Sequence, residues 1–425
     1  MTILVALLAL SIIILVHETG HYLAARAMGI KVNEFAIFMG PKLFSWKRNG
    51  TRFSVRAIPI GGFVSMEGED EDIASGTSFS SKPAYKKIIT ILAGPLSNLL
   101  FALFILFFLF LFSGYALDRN TVMVENRPAY QQGLRDGDVI RRINGKKVYD
   151  PLDMTVLMYG FQGEQALVEY VRDGVVYEAL LTPEKEGGTQ YLINFTTRDD
   201  TNVVHSIPDD SNAYKAGLRP GDAILMINGI ETSNRYDIRE VMNANQEKDA
   251  MLTVARGDDI LDLSVTPVVS RTPEYFDLGI YYHTTPVNVF QAFRHGVRFS
   301  VATIRSIYFS IIWLISGKAT LSDMMGPVGI VSIIGASVRQ PTFWLFLSTL
   351  LSMMAFISLN LGIINLIPFP ALDGSKVIIH AIEGIRGKPF PVEKTAIVSL
   401  VGFGLLILLL ILTTYNDIVR LFGGG

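Results

Sequence analysis

The sequence predicts a polytopic α-helical membrane protein with four transmembrane helices, a cytoplasm-facing membrane-associated β-loop and two extracytoplasmic α/β modules. Three observations carry this prediction. Four stretches are apolar over the length that crosses a bilayer, half of the 425 residues are hydrophobic, and the mean hydropathy is +0.37. A polar, strand-rich stretch separates the first two apolar runs. Between the second and third lies a long water-facing region that repeats itself at a shift of 84 residues. A net charge of −2 with no concentrated basic face excludes nucleic acid as a partner. The absence of cysteine removes both disulfides and thiolate metal sites.

The first span lies in 1–29 and lacks the charged start and small-residue cleavage site of a signal peptide, so it reads as a retained helix that stops at Gly29. Within it stands Leu15-Val16-His17-Glu18-Thr19-Gly20-His21. Residues four apart share a helix face, so His17 and His21 can present two imidazole nitrogens to one metal ion. Zinc suits that pair, and Glu18 on the adjoining face can take a proton from water without ligating, the arrangement of a zinc hydrolase. Ionisable side chains are costly in a membrane-length apolar run, which weighs against two merely packed histidines. Without thiolates the remaining ligand must be an oxygen. The signature sits roughly 22 Å along the helix axis, in the far third of the bilayer.

Residues 30–87 carry Lys31, Lys42, Lys47, Arg48, Arg52, Arg56, Lys82, Lys86 and Lys87, and so basic a loop after an uncharged N-terminus predicts a cytoplasmic loop and an outside N-terminus. The active site then faces the cytoplasm. Thr51 to Ile60 alternates as a strand does and runs into Gly61-Gly62-Phe63-Val64. An edge strand near Ile58 can grip an extended substrate by main-chain pairing, and a small structural hairpin is the equally available reading. The acidic run Glu67 to Asp72 reads as a solvated loop.

In the second span, 88–114, Gly94 stands four before Asn98, so another helix can come close and meet a hydrogen-bonding amide. Tight packing alone explains this pattern; contact of Asn98 with substrate is the functional expectation. The repeat lays Ala129-Tyr130-Gln131-Gln132-Gly133-Leu134-Arg135-Asp136-Gly137-Asp138 over Ala213-Tyr214-Lys215-Ala216-Gly217-Leu218-Arg219-Pro220-Gly221-Asp222. Without a gap it also brings Ile143-Asn144-Gly145 onto Ile227-Asn228-Gly229 and Arg172 onto Arg256. The two modules, 120–184 and 200–270, have one helix each (152–158 and 236–243), and the Gly-Leu-x-x-Gly-Asp-x-Ile-x-x-Ile-Asn-Gly pattern resembles bacterial PDZ domains. That resemblance implies a strand-accepting groove, with a steric filter or spacer as the alternative.

Residues 271–340 form an extracytoplasmic linker in which 288–316, interrupted by Arg294, His295, Arg298 and Arg305, and also 326–337, lie on the outer membrane surface. An additional span there would carry the end of the third, Phe343 to Leu366 within 341–376, to the wrong side for the histidines. That end runs into Pro368-Phe369-Pro370-Ala371-Leu372-Asp373-Gly374, where the prolines break the helix and Asp-Gly makes a tight turn. Asp373 thereby supplies the oxygen ligand, leaving a fourth zinc position open for water. A cytoplasmic loop, 377–394, and a fourth span within 395–425 return the C-terminus outside.

Taken with Asn-x-x-Pro-x-Pro-x-Leu-Asp-Gly from Asn365 and the modules between the second and third spans, the chain resembles the site-2 protease family of intramembrane zinc metalloproteases, of the bacterial RseP/RasP type, over essentially its whole length. The resemblance implies that His17, His21 and Asp373 hold Zn2+ and that Glu18 is the general base. By the same resemblance Asn98, Asn360 and Asn365 hold unwound substrate, and Gly61-Gly62-Phe63 belongs to the membrane-associated β-loop. Ser375-Lys376 departs from the Gly-His of many relatives. A location in the bacterial cytoplasmic membrane is implied, with both termini and the PDZ modules extracytoplasmic. The implied substrates are single-span membrane proteins, namely anti-sigma factors already trimmed by an upstream site-1 protease and remnant signal peptides. The PDZ pair would admit only trimmed substrates. The alternative is a non-catalytic membrane scaffold or quality-control adaptor that keeps the zinc site as a relic.

Overall fold

A computed structural model describes residues 2–422 apart from 70–72, 74, 124–126, 162, 198–200, 210, 321–323 and 338–342. Helix α1 (Thr2–Ala27) closes in a Schellman turn, with Gly29 at φ +72°, Ile30 N–H on Ala25 O at 2.8 Å and Gly29 N–H on Arg26 O at 3.2 Å. Strands β1 (Val32–Arg48) and β2 (Thr51–Met66) follow, interrupted near Gly40 and Gly61, both at positive φ. The interruptions make four paired segments from two strands. Residues 34–37 lie between 52–55 and 62–65, while 42–48 covers the other side of 51–56. The stretch leading to Ile58 is therefore paired on both sides through Val55, and of the two outer edges, 42–48 and Gly62–Ser65, the second lies by Glu18. Of the acidic run, Glu67 pairs with Lys31 at 2.7 Å and Glu69 with Lys376 at 2.9 Å, while 70–72 lie outside the described residues.

Helix α2 (Ala84–Ser113) packs on α1 and on a later helix, α9 (Phe343–Leu366), through Ala9, Ile13, Ala102, Ile105, Leu106, Met354, Ala355 and Leu359. Lipid gives helices no hydrophobic drive toward one another, so small residues that bring backbones together set such contacts. A β-carbon on Gly20 would stand 2.3 Å from Ala93 O, and one on Gly362 would stand 2.9 Å from Pro95 O.

The first module comprises β3 (Tyr115–Met123), α3 (Pro128–Gln131), β4 (Val139–Ile143), β5 (Lys146–Lys147), α4 (Pro151–Phe161), β6 (Ala166–Arg172) and β7 (Val175–Leu181). The second comprises β8 (Glu184–Leu192), β9 (Thr196–Thr197), β10 (Val204–Ser206), α5 (Asn212–Lys215), β11 (Ala223–Ile227), β12 (Ile230–Glu231), α6 (Arg235–Asn245), β13 (Ala250–Arg256), β14 (Asp259–Val265) and β15 (Val268–Asp277). Their four-stranded sheets have the same order, β5-β4-β6-β7 and β12-β11-β13-β14. The first module is completed only by β16 (Ile280–Thr285), which pairs antiparallel with β3, while Leu278 and Ile280 enter its core beside Met123, Leu134 and Ile143. Residues 183–277 are thus a separate unit inserted into the first module, with a core around Leu218, Ile224, Met242 and Leu252.

The repeated motif has a shared physical basis. Arg172 grips Asp138 with two bonds of 2.8 and 2.7 Å, and Arg256 grips Asp222 with two of 2.8 Å. Asn144 and Asn228, at φ 45° and 51°, each accept a backbone N–H from the neighbouring strand. Burial alone would raise the Asp222 carboxyl, but Arg256 and the Arg219 N–H outweigh it and hold it below the ordinary carboxylate range. A carboxyl lowered on folding contributes stability above its unfolded pKa and loses it on acidification, here below about pH 4. Asp222→Asn is expected to cost the 183–277 unit about 2 kcal/mol at neutral pH. Amide exchange across that unit reads the loss, and unchanged protection would contradict it.

After β16 come α7 (Val289–Ile315), α8 (Pro327–Ser337), α9 (Phe343–Leu366), α10 (Asp373–Arg386) and α11 (Val392–Phe422). An Asn288–Gln291 capping box opens α7. Its first half packs on α2 through Gly296 and Phe299, and its second half on α4, with Arg305 bonded to Asp153 at 2.8 Å and Trp313 against Gly160. Five described helices are long and apolar enough to cross a membrane: Ile3–Ala27, Ala84–Ser113, Val289–Ile315, Phe343–Leu366 and Glu393–Val419. The sequence predicts four, with the third of these read as a surface helix because charged residues interrupt it and a further span would carry Asp373 to the wrong side of the histidines. Asp417 on α11, buried, accepts the Gly326 and Gly329 N–H groups at 3.1 and 2.8 Å around the start of α8.

Candidate active site

One helical turn separates His17 from His21, whose rings stand at 86° with their Nε2 atoms 3.1 Å apart. Asp373 Oδ2 lies 3.2 Å from the first and 3.3 Å from the second. Both histidines are buried in the bilayer-length part of α1. Asp373 arrives from the C-terminal end of α9, about 350 residues later in the chain. The reversal after α9 is made by Pro368 to Leu372, with Ala371 at φ +79°, a conformation that a β-carbon resists and that surrounding structure must hold. Asp373 and Gly374 therefore open α10 instead of forming the tight turn expected from sequence. A β-carbon on Gly374 would stand 2.4 Å from the carbonyl oxygens of Leu366 and Ile367, so glycine lets α10 start on the end of α9.

These three residues fit zinc. Asp373 Oδ2 is buried without a hydrogen-bond partner among the described residues, and the three donor atoms fall within 4.8 Å of one another. A tetrahedral ion with nitrogen and oxygen bonds of 2.0–2.1 Å spaces its ligands by about 3.3 Å, the separation seen here. His21 Nδ1 donates to Thr90 O at 2.9 Å, which leaves its Nε2 lone pair for the metal. Asn98, fully buried, meets His17 Nδ1 at 3.4 Å.

Glu18 lies beside the free strand edge. Gly62 would bring a β-carbon within 3.8 Å of Glu18 Cγ and 2.8 Å of Ala36 O, and the Val64 amide reaches the Glu18 carboxylate. Ser11 Oγ donates to Pro59 O at 3.1 Å and fastens the β-loop to α1. The structure thus brings His17, Glu18, His21, Asp373, Asn98 and Gly62 together. Other expected substrate contacts stand apart: Asn360 donates to Phe356 O of its own helix at 2.8 Å, and Ile58 is 48% exposed and paired with Met39. Gly61 faces Met39, Phe63 lies under Arg56, and the Asn365 amide bonds to none of the described residues. Ser375 bonds back to Leu372 O and Lys376 reaches Glu69, so the unusual pair anchors the start of α10. Thr90 O and Val64 N–H are backbone groups, for which no side-chain pattern gives a signal. Gly94 is legible as a small residue that admits a neighbouring helix, and Gly20, not singled out from the sequence, carries the same signal on the facing helix.

A two-histidine, one-carboxylate cluster with an adjacent glutamate, buried among membrane-length helices, defines a membrane-embedded zinc metalloprotease. The chain belongs to peptidase family M50, whose family model matches residues 5–409. It is 29% identical over 445 residues to the regulator of sigma-W protease RasP of Bacillus subtilis, covering 99% of each chain. It is 30% identical over 450 residues to the regulator of sigma E protease of Haemophilus influenzae, covering 98% of each, and 28% identical to the zinc metalloprotease RasP of Bacillus licheniformis, covering 99% of each. The HtrA3 PDZ domain bound to a phage-derived ligand is a structural neighbour over 20% of this chain and 91% of its own, at 20% identity and a TM-score of 0.17.

Proposed function

We propose that this protease cuts single-span membrane proteins inside their spans, with His17, His21 and Asp373 holding zinc and Glu18 moving the proton. The convergence of Asp373 Oδ2 on the two Nε2 atoms carries the reading. Zinc supplies a Lewis acid that polarises the scissile carbonyl and makes water acidic enough to react at neutral pH. Glu18 takes the proton of the attacking water and returns it to the leaving amine. A substrate helix hides its peptide bonds in its own hydrogen bonds, so it must unwind, and its freed backbone groups need partners away from water. The open edge at Gly62–Ser65, next to Glu18, offers them by strand addition. Asn360 and Asn365, near the end of α9, and Phe63 would hold the flanks.

We further propose four crossings. Helix α7 starts next to the strand pair that joins Thr285 to Tyr115 at the end of α2, and its second half rests on the same module. The contact of that second half with a water-facing module, together with Arg294, Arg298 and Arg305 interrupting its apolar run, supports a helix lying along the outer surface. The basic loop at 30–87 supports a cytoplasmic β-loop and extracytoplasmic PDZ-like modules. Those modules would act as a size filter, admitting anti-sigma factors and signal-peptide remnants only after an upstream cut. The test uses purified protein in nanodiscs with two reporters, one bearing a short outer stub and one a folded outer domain. Only the stub reporter should be cut inside its span, and excising 183–277 should let the bulky one be cut. Cleavage of neither reporter would overturn the protease assignment for such substrates, and equal cleavage of both by the intact chain would overturn the filter.

A further inference from the structure

For His17 to offer its Nε2 lone pair to a metal, its ring proton must sit on Nδ1, and a buried N–H needs an acceptor. His21 satisfies the same demand through Thr90 O. The group facing His17 Nδ1 is the Asn98 amide, with Nδ2 at 3.4 Å, while Asn98 Oδ1 is buried and without a partner among the described residues. As placed, the amide would set an N–H against an N–H whenever zinc is bound. Half a turn about the Cβ–Cγ bond exchanges two atoms of nearly equal size and puts Oδ1 on the Nδ1 proton. The amide has one partner in either orientation, so the hydrogen that His17 presents decides between them.

We infer that Asn98 is a positioning residue that accepts the His17 Nδ1 proton and thereby fixes the tautomer that binds zinc, in place of the substrate contact expected from sequence. The inference rests on the zinc-protease reading above. The surroundings are built for it. Gly94, one turn earlier on α2, clears the space beside His21, and Ser358 of α9 donates to the Asn98 backbone oxygen at 2.9 Å, holding that turn in place. No other side chain among the described residues bonds to His17 Nδ1.

The experiment is a zinc titration of the full chain in nanodiscs against a competing fluorescent chelator, alongside kcat and KM on the stub reporter at saturating zinc. Asn98→Ala is expected to weaken zinc binding by about 10- to 100-fold with KM unchanged. Asn98→Asp, which keeps the shape and an accepting oxygen, is expected to restore affinity to within a few-fold of wild type. Wild-type affinity in Asn98→Ala with a raised KM would overturn the inference in favour of substrate contact. Equal loss in Asn98→Ala and Asn98→Asp would overturn it in favour of packing alone. Absence of zinc binding by the wild type would overturn the metal assignment itself and this inference with it.

Discussion

Glu18→Gln should cut the rate of reporter cleavage by about 10²- to 10⁴-fold while leaving the zinc content unchanged. Glutamine keeps the length and planarity of the side chain, so the contacts with Gly62 and the Val64 amide survive. What it removes is the ability to accept a proton from water and return it to the leaving amine. Because Glu18 lies outside the donor set of His17, His21 and Asp373, the metal should stay. Initial rates and metal analysis on the same preparation separate the two effects. A variant that loses zinc as well would make Glu18 part of the metal site, and a variant that cuts at the wild-type rate would remove it from the chemistry.

Gly94→Ala is expected to lower zinc affinity by at least 100-fold and abolish cleavage. An added methyl would stand 2.3 Å from His21 Nε2 and 2.5 Å from Cε1. The ring can escape only by breaking its bond to Thr90 O, or the helices must part where Gly20 already touches Ala93 O. Either movement takes one ligand off the metal, and a site of this kind tolerates no such displacement. Alanine is a better helix former than glycine by about 1 kcal/mol, so weakened helix formation cannot account for the loss. The double variant Gly94→Ala with His21→Ala should bind zinc no worse than His21→Ala alone, since both remove the same ligand. Zinc affinity within a few-fold of wild type in Gly94→Ala would show that α1 and α2 are less closely apposed than described.

Much of this site is legible before any coordinates, because helix spacing is a local property. The four-residue step from His17 to His21 and the proline break before Asp373 need only helix geometry and chain chemistry. The long spans are legible for the same reason: apolar length is counted along the chain. What cannot be read is long-range pairing. Nothing in Leu278 to Thr285 says that it joins a strand more than a hundred residues earlier, and the open edge at Gly62–Ser65 appears only when the interruptions near Gly40 and Gly61 fold two strands into four segments. The arginines of α7 suggest a helix that avoids lipid, yet Arg305 bonds to Asp153, a partner that no periodicity announces. The role of Asn98 depends on which ring nitrogen it meets, a matter of rotamer and approach.

The pairing of β3 with β16 also sets an order of events during synthesis. At about 5–20 residues per second, roughly 160 residues separate the emergence of the two partners, a delay on the order of ten seconds. Through that interval the first module has its repeated motif and most of its core residues but lacks Leu278 and Ile280, and β3 presents an unpaired edge. The inserted unit contains all of its own core and can fold meanwhile, so the later-made domain matures before the earlier one. A nascent chain stalled before residue 278 should therefore expose its first module to added protease while protecting the inserted one. The module that is begun first is thus the one finished last.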